Sequence, residues 1–405
     1  MMAVGDFGAY NIEDLRQIAK KRVPRGVFGY VDGGSEDGIA VKNNRDAYTS
    51  LKIKNRVLVD VSGRSTETTI FGRKATMPYG VSPTGTAGLM WYGGEAGVAI
   101  AATKMGVPCT VALNAQTSME EIWEAAGEGG NLWFQVYMWP DKDLSLKQID
   151  RIKSVGYETL IITVDGPVGS NREYNKKNGF SMPLKYSATL FAQLLAKPGW
   201  LIRVLGQHYL RRGAPTMVNY PDELISRITD PMLKHMHTKT DNLTWEHVQR
   251  IRDAWPGNLL IKGLQSAEDA VIAKERGLEG VVLSNHGGRY VDSAPAPLQV
   301  VAETRKAVGN NFTVIIDSGA RRGSDLVKAI ACGADLIMSG RPTLWGAAVA
   351  GTDGSYQALE IFQTEMDRVM AQLGLNNVDE IGPHIFWNPP NWVPQAPPML
   401  KAVAE

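Results

Sequence analysis

Eight short apolar runs, alternating with stretches of helical spacing, predict an α/β fold: a (β/α)8 TIM barrel with an insertion after strand 4. Polar residues follow the runs closely, and a closed barrel would bring them to one mouth at the C-terminal ends of its strands. An open, doubly wound sheet is the competing arrangement, because it shows the same alternation. We favour the barrel, since an open sheet does not need a polar residue at the end of every strand.

The strands are predicted where apolar, often β-branched residues run together and stop at a polar residue or a glycine. They cover Tyr79–Pro83, Val107–Leu113, Leu132–Tyr137, Thr159–Val164, Leu259–Ile261, Gly280–Leu283, Phe312–Ile316 and Asp335–Met338. The polar residues near their ends are Thr84, Asn114, Tyr137, Asp165, Lys262, His286, Asp317 and Arg341. Helical spacing lies between strands in Gly94–Met105, Leu144–Val155, Ala267–Arg276 and Ser324–Cys332.

Both ends of the chain have sequence patterns that predict local structure. Asn11 and Asp14 precede an amphipathic stretch, Leu15–Lys21, which predicts a capped surface helix that ends before the next proline. Residues 1–385 are predicted to form one domain. A proline-rich tail follows at 386–405 and is predicted to run extended over the surface.

Composition excludes several classes of function. The 405 residues include 43 basic and 42 acidic side chains, so the overall charge gives no case for nucleic-acid binding. Cys109 and Cys332 are too few for a disulfide framework and lack zinc-site spacing, so we expect reduced core thiols and no metal site. The N-terminus lacks the features of a signal peptide, and no apolar run reaches the roughly 18 residues that span a bilayer. A cytoplasmic protein, soluble or lying on a membrane, is expected.

About 95 residues separate the fourth predicted strand from the fifth, which places an insertion at about residues 176–245. Its segment 184–213 combines apolar and basic residues and contains no acidic residue. The basic residues are Lys185, Lys197, Arg203, Arg211 and Arg212. This composition predicts a segment at a membrane surface, on the inner face of the cell membrane. The alternative is a lid over the barrel mouth or a contact with a neighbouring subunit.

The stretch Val281–Arg289 is the strongest functional signal. It predicts a buried strand that delivers His286 and Arg289 to a glycine-containing turn at the mouth. Histidine titrates near neutral pH and suits proton transfer, while arginine can hold an anion close to it.

Two turns that contain glycine and arginine, after the last two strands, predict a phosphate site. They are Asp317–Gly323 and Ser339–Arg341, each at the start of a helix, where backbone N–H groups and the helix dipole favour an anion. No glycine fingerprint of a dinucleotide site is evident in the sequence. A mononucleotide-like cofactor or a phosphorylated substrate is therefore favoured over a nicotinamide dinucleotide.

Four motifs occur in order along the chain: Ser284–Arg289, Asp292, Asp317–Gly323 and Gly340-Arg341-Pro342. Together they resemble the FMN-dependent enzymes that oxidise L-2-hydroxy acids, over about residues 10 to 385. Within that family, the stretches most similar to the membrane-associated (S)-mandelate dehydrogenases are Pro83-Thr84-Gly85, Leu132-Trp133-Phe134-Gln135 and Asp317-Ser318-Gly319. The resemblance implies an enzyme that uses the cofactor FMN and assembles as a homotetramer.

The resemblance also implies roles for individual positions. The residues implied to be catalytic are the base His286, its partner Asp165, Lys262 beside the flavin and Tyr137 at the substrate hydroxyl. The residues implied to bind the substrate are Tyr30, Tyr137, Arg172, Arg289 and Gly85. The residues implied to bind FMN are Pro83, Thr84, Gly85, Gln135, Thr163, Lys262, Ser284, Asp317, Gly319, Arg321, Gly340 and Arg341.

Three places depart from the family pattern. One is Gly33-Gly34-Ser35-Glu36-Asp37, which only approximates the usual Gly-Ala-Glu-Asp, and the other two are single positions. Ala112 stands where several members have a serine that contacts the flavin, and Asn114 stands where glycolate oxidase has an aromatic residue that lines the pocket. Gly85, by contrast, stands where other members have an alanine and leaves room for a larger substituent on the substrate.

The expected function is oxidation of an (S)-2-hydroxy acid, aromatic like mandelate, to the 2-oxo acid, with electrons passed to a quinone or another acceptor. One alternative is a lactate- or glycolate-type oxidase that uses oxygen. Alternatives from other classes are a non-redox, phosphate-binding TIM-barrel isomerase and a membrane-bound scaffold without activity.

Overall fold

Eight parallel strands close into a barrel in the computed structural model, which describes residues 7–180, 183–184, 187–230 and 241–395. Numbered in chain order, the strands are β1 (Tyr79–Val81), β2 (Cys109–Ala112), β3 (Leu132–Val136), β4 (Thr159–Thr163), β5 (Asn258–Leu264), β6 (Gly280–Leu283), β7 (Thr313–Asp317) and β8 (Leu336–Ser339). Each strand pairs with its neighbour in sequence, and β8 pairs with β1. The predicted barrel is therefore confirmed, and the open sheet is excluded.

Helices surround the barrel and complete the strand-helix units. Before β1 lie the helices Ile12–Arg22, Arg25–Asp32 and Ile39–Ser50 and a hairpin of Thr68–Ile70 with Arg73–Ala75. Outside the insertion, the helices from β1 onward are Ala87–Met90, Gly94–Met105, Met119–Ala126, Lys142–Val155, Trp245–Ala254, Ala267–Glu275, Pro297–Val308, Gly323–Ala331 and Arg341–Leu373. Two 3-10 turns follow, at Val378–Glu380 and Pro383–Ile385.

Most strand and helix bounds agree with the sequence predictions to within two residues, and the helix Gly94–Met105 has its predicted bounds. The largest difference is in β5, which continues through Lys262 to Leu264. Its pairing with β6 shifts register there, because Gly263 adopts a left-handed backbone (φ 111°) and bulges out of the ladder. A bulge of this kind aims the neighbouring side chains, and Lys262 is one of the predicted site residues.

The first helix begins where the sequence predicts. Asn11 caps it, because its side-chain oxygen accepts the backbone N–H of Asp14 at 3.0 Å. The helix is less superficial than predicted, since Leu15 and Ala19 are fully buried. The next helix, Arg25–Asp32, is absent from the sequence predictions, because its two glycines weaken the local helical signal.

Two apolar layers hold the barrel together. Its interior is filled by a buried cluster of Ile70, Trp133, Ile161, Leu260, Val282, Ile315, Leu336 and Met338. Ile70 belongs to the hairpin that precedes β1, and this hairpin closes the N-terminal end of the barrel. Neighbouring strand residues such as Val281 and Leu283 belong to the other layer, between strands and helices. The predicted site residues lie at the other end of the barrel, where the strands have their C-terminal ends.

The insertion between β4 and β5 consists of short helices and one hairpin. Its helical segments are Glu173–Lys177, Ala188–Leu195, Pro198–Trp200, Leu201–Gly206 and Gln207–Arg211, and its strands Thr216–Met217 and Ser226–Arg227 enclose the 3-10 turn Asp222–Leu224. The indole of Trp200 donates to the Leu89 carbonyl at 2.8 Å and ties the insertion to the barrel. Lys185 and the insertion residues 231–240 lie outside the described residues.

The described part of the C-terminal tail is packed, contrary to the predicted extended run over the surface. Phe386 and Val393 are buried, and Phe386 forms a β-bridge with Ile53. The prolines dominate the composition of the tail, but burial of these two apolar side chains stabilises its packed arrangement. Residues 396–405 lie outside the description.

Candidate active site

A cavity of about 340 Å³ opens at the C-terminal ends of the strands. It collects nearly all the site residues that the sequence analysis named. Those that line it are Tyr30, Pro83, Thr84, Gly85, Gln135, Tyr137, Thr163, Arg172, Lys262, His286, Arg289, Asp317, Gly319, Arg321, Gly340 and Arg341. The other two, Asp165 and Ser284, lie directly behind them and hydrogen-bond to lining residues.

A tight turn after β6 presents the imidazole of His286 to the cavity. His286, Gly287 and Gly288 all have left-handed backbones, with φ of 55°, 68° and 75°. A side chain at Gly288 would place its Cβ 2.7 Å from the backbone nitrogen of Val41, so glycine is required there. The His286 backbone N–H donates to the Ser284 hydroxyl at 3.0 Å, which fixes the start of the turn.

Asp165, just after β4, holds the imidazole from behind. Its Oδ1 lies 2.9 Å from Nδ1 of His286, so Nδ1 carries the donated proton and Nε2 is left as the basic nitrogen. Burial lowers the pKa of His286 below its usual value, although Asp165 opposes this shift. Burial would raise the pKa of Asp165, but the charge of His286 and the hydrogen bond lower it instead. The pair therefore contains a neutral base beside a carboxylate that can stabilise the protonated base.

Two arginines and a tyrosine form an anion site on the same cavity. Arg289 donates to the carbonyls of Tyr30 (2.7 Å) and Gly33 (3.2 Å), and its guanidinium lies 5.1 Å from the Tyr30 ring centre. Arg172 lies 5.8 Å from the same ring, and its buried Nε has no hydrogen-bond partner among the described residues. Burial and the charge of Arg172 lower the pKa of Arg289 to about 10. Such concentrated positive charge favours binding of a carboxylate.

A buried network of charged and hydroxyl side chains lies at the C-terminal ends of the strands. Lys262 at the bulge of β5 lies 3.0 Å from Asp317 and donates to Ser284 at 2.9 Å. Asp317 accepts further hydrogen bonds from Ser82 (2.6 Å) and Ser284 (2.8 Å). Although burial opposes charge, Asp317 raises the pKa of Lys262, and Lys262 with the two hydroxyls lowers the pKa of Asp317. Lys262 is therefore a fixed positive charge at one face of the cavity.

A second cluster of positive charge lies after β7 and β8. Arg321 donates to the carbonyl of Ala320, and Arg341 donates to the carbonyls of Val31, Gly33 and Gly287, so both guanidinium groups bond neutral acceptors. Burial lowers the pKa of each arginine to about 10. The charges of this cluster are thus incompletely balanced by the described residues, as a phosphate site requires.

The sequence profile of the FMN-dependent dehydrogenase family matches residues 19–388. The chain belongs to this family. (S)-mandelate dehydrogenase of Pseudomonas putida is 36% identical over 379 residues, which are 94% of each chain. L-lactate dehydrogenase of Vibrio cholerae is 32% identical over 376 residues, 91% of this chain and 96% of that one. A crystal structure of the monotopic membrane protein (S)-mandelate dehydrogenase superposes with a TM-score of 0.87 at 35% identity, over 94% of this chain and 100% of the other.

This FMN-dependent dehydrogenase is therefore a flavoprotein that oxidises 2-hydroxy acids, and the non-redox isomerase is excluded. The residues of the cavity fit FMN. Gln135 Nε2 and Thr163 Oγ1 are buried without a hydrogen-bond partner among the described residues, and both residues line the cavity. An isoalloxazine ring has polar edges that could satisfy them, while its phosphate would balance Arg321 and Arg341.

Several residues of this dehydrogenase site are absent from the sequence predictions. Ser82 and Tyr290 are each next to a predicted residue, so their position at a strand end or turn could have indicated them. The Tyr290 ring stands edge-on to His286, with ring centres 4.9 Å apart. Met217 and Tyr220 come from the insertion and carry no local signal, because only the folded insertion brings them to the barrel mouth. None of the helices in the described ranges has the length and apolar character of a bilayer-spanning helix.

Proposed function

We propose that this enzyme oxidises an (S)-2-hydroxy acid with an aromatic substituent, such as (S)-mandelate, to the 2-oxo acid. One observation carries the proposal: His286, held by Asp165, lines the same cavity as the two arginines and the fixed charge of Lys262. A substrate with a carboxylate beside a carbinol carbon has the matching pair of groups. The similarity to (S)-mandelate dehydrogenase supports the choice of an aromatic acid.

The proposed mechanism assigns a task to each side chain. Arg172 and Arg289 bind the carboxylate, and Tyr30 adds a hydroxyl donor, which fixes the α-carbon in place. Tyr137 bonds the substrate hydroxyl; burial raises its pKa well above the usual value, so the phenol keeps its proton. Bound FMN would supply the acceptor for the two electrons and the second proton that leave the substrate. His286 accepts a substrate proton at Nε2, and Asp165 acts as a positioning residue that stabilises the imidazolium.

Three further positions are proposed to serve the cofactor. Lys262 sets a positive charge beside the flavin ring, where it favours added negative charge. Gln135 and Thr163 would hydrogen-bond the ring edge. The remaining proposed cofactor contacts are Pro83, Thr84, Gly85, Ser284, Asp317, Gly319, Arg321, Gly340 and Arg341.

Gly85 packs against Asn114. A Cβ added to Gly85 would lie 2.7 Å from Cβ of Asn114, so a glycine is needed for the two residues to approach this closely. The choice of an aromatic acid therefore rests on the similarity to (S)-mandelate dehydrogenase.

The proposal is tested by anaerobic reduction of the bound flavin in a stopped-flow instrument. We expect (S)-mandelate to bleach the flavin faster than (S)-lactate or glycolate. The variant His286→Asn should slow reduction at least a hundredfold while keeping substrate binding, since general base catalysis contributes about that much. His247→Asn is the matched control, because His247 caps an exposed helix start away from the cavity. Near-normal reduction by His286→Asn, or faster reduction by lactate, would refute the assignment.

We further propose that the insertion rests on a membrane and that a quinone there takes the electrons. Three apolar side chains of the segment are strongly exposed: Phe191 (63%), Ile202 (67%) and Leu210 (83%). Arg203 and Lys197 lie among them, in a segment without acidic residues. Exposed apolar and basic side chains together suit an anionic membrane surface. The similarity to a monotopic membrane protein supports this proposal.

Sedimentation with anionic phospholipid vesicles tests the membrane contact. The double variant Phe191→Glu and Leu210→Glu should stay in the supernatant, yet keep hydroxy acid oxidation with a soluble artificial acceptor. The control is Val57→Glu with Leu58→Glu, because these residues are equally exposed (72% and 103%) but lie outside the insertion. Equal sedimentation of both double variants would contradict the proposal. A lower molecular mass of the first variant would instead indicate that the segment contacts another subunit of the proposed homotetramer.

A further inference from the structure

The part of the cavity proposed to hold the substituent of the substrate is lined partly by polar residues. Asn114 follows β2, and its Cβ packs closely against Gly85. A second cavity of about 780 Å³ adjoins the first, and Asn114 lines both, together with Tyr137, Thr163 and Tyr290. A substituent that extends from the first cavity toward the second therefore passes Asn114.

Tyr220 fixes the orientation of that amide. Its hydroxyl donates to Oδ1 of Asn114 at 2.5 Å, which directs the amide NH2 group away from Tyr220. Tyr220 is buried, with its ring 6.0 Å from that of Trp139. Burial also raises its pKa, so the phenol remains a donor at ordinary pH. The amide oxygen is thus occupied, and the amide N–H donors are what Asn114 can offer to a ligand.

The Asn114–Tyr220 bond is not needed to attach the insertion to the barrel, because the adjacent residue does this. Asn219 is fully buried, and its side chain accepts the Met119 backbone N–H at 2.7 Å and donates to the Thr117 carbonyl at 2.9 Å. Gln148 donates to the Asn219 carbonyl at 2.8 Å. Because Asn219 already anchors this turn, the hydrogen bond between Asn114 and Tyr220 suggests a role in binding the ligand.

Met217, from the same hairpin, supplies an apolar counterpart. It is buried and lines the first cavity together with Asn114, so both an apolar side chain and an amide border this cavity. An unsubstituted phenyl group would desolvate the Asn114 amide without giving it a partner, at a cost in binding. A ring that carries an oxygen would avoid this cost.

We propose that Asn114, oriented by Tyr220, is a specificity-determining residue for 2-hydroxy acids whose substituent carries a hydrogen-bond acceptor, such as a hydroxyaryl or alkoxyaryl group. This inference rests on the proposed function, since it places a substituted aromatic 2-hydroxy acid in the same cavity. It adds a polar contact that neither a plain aryl nor an alkyl substituent would use.

The experiment compares substrates that differ only in polarity at the ring. Anaerobic flavin reduction is measured with (S)-mandelate and with its 3- and 4-substituted hydroxy, methoxy and methyl derivatives, because hydroxyl and methyl groups have similar size. We expect the enzyme to favour a hydroxy over the matching methyl derivative by about tenfold or more in kcat/KM. Asn114→Leu should bring this ratio close to one. Asn114→Asp, which keeps the shape and the bond to Tyr220, should lose the methoxy acid most, because a carboxylate cannot donate to an ether.

Tyr220→Phe should reduce the hydroxy/methyl ratio about threefold, since the Asn114 amide is no longer held. The control is Tyr157→Phe, which also removes a buried hydroxyl, one that donates to the Met119 carbonyl at 3.0 Å outside both cavities. The hydroxy/methyl ratio of Tyr157→Phe should match that of the wild type. Equal rates for hydroxy and methyl acids in the wild type, or an unchanged hydroxy/methyl ratio in Asn114→Leu, overturns the inference while mandelate still reduces the flavin. If no 2-hydroxy acid reduces it, the proposed function itself fails.

Discussion

Replacing Asp165 by asparagine removes one charge and keeps the shape of the side chain. The carboxylate lies 2.9 Å from His286, and both side chains are mostly buried, with 11% and 23% exposed. An opposite charge at this range raises the pKa of a histidine by about one to three, which corresponds to roughly 1.4–4 kcal/mol. If the imidazolium forms in the transition state, that loss slows the reaction by about ten- to a thousandfold.

The pH dependence of kcat/KM provides a second, independent test of the role of Asp165. In the wild type His286 acts as a neutral base, so kcat/KM should fall only below a pKa that burial has lowered beneath 6.5. Without Asp165 the protonated imidazole is less stable, so the pKa of His286 falls further. The acidic limb of the Asp165→Asn profile should therefore move to lower pH, while the plateau drops.

The assay is kcat/KM for (S)-mandelate with an artificial electron acceptor, measured across the stable pH range. Asp335→Asn is the control, because Asp335 pairs with Arg305 at the opposite end of the barrel, beside the start of β8. It should change thermal stability and leave the pH profile in place. A plateau for Asp165→Asn within threefold of the wild type, or an acidic limb that moves to higher pH, would refute the reasoning.

Three further outcomes are expected. Lys262→Met leaves Asp317 buried without its cation, so the free energy of unfolding should fall by about 3–5 kcal/mol near neutral pH, and less at low pH where Asp317 is protonated; an equal loss at all pH values contradicts this. Arg321→Gln should weaken FMN binding at least tenfold in a fluorescence titration, whereas unchanged affinity would place the phosphate elsewhere. Gly354→Ala should lower stability by about 1–3 kcal/mol in thermal denaturation without affecting FMN binding, because its Cβ would collide with the Gly346 carbonyl.

The sequence alone determined the barrel and one side of the site. Apolar runs and the polar residues at their ends are local signals, and parallel strands bring those ends together whatever the loops do. His286, Arg289 and the turns that contain Arg321 and Arg341 follow from this rule. The resemblance to a known family then connected them with Asp165, which lies 2.9 Å from His286 as that resemblance implied.

The family resemblance already implied Tyr30, but only the tertiary structure decided how distant segments complete the cavity. The helix Arg25–Asp32 carries Tyr30 to Arg289, and the insertion delivers Met217 and Tyr220, although neither segment shows a periodic pattern that points to the barrel mouth. The physical reason is that local sequence fixes the direction of a strand end, whereas contacts between remote segments depend on the whole packed arrangement and the buried polar groups that it must satisfy.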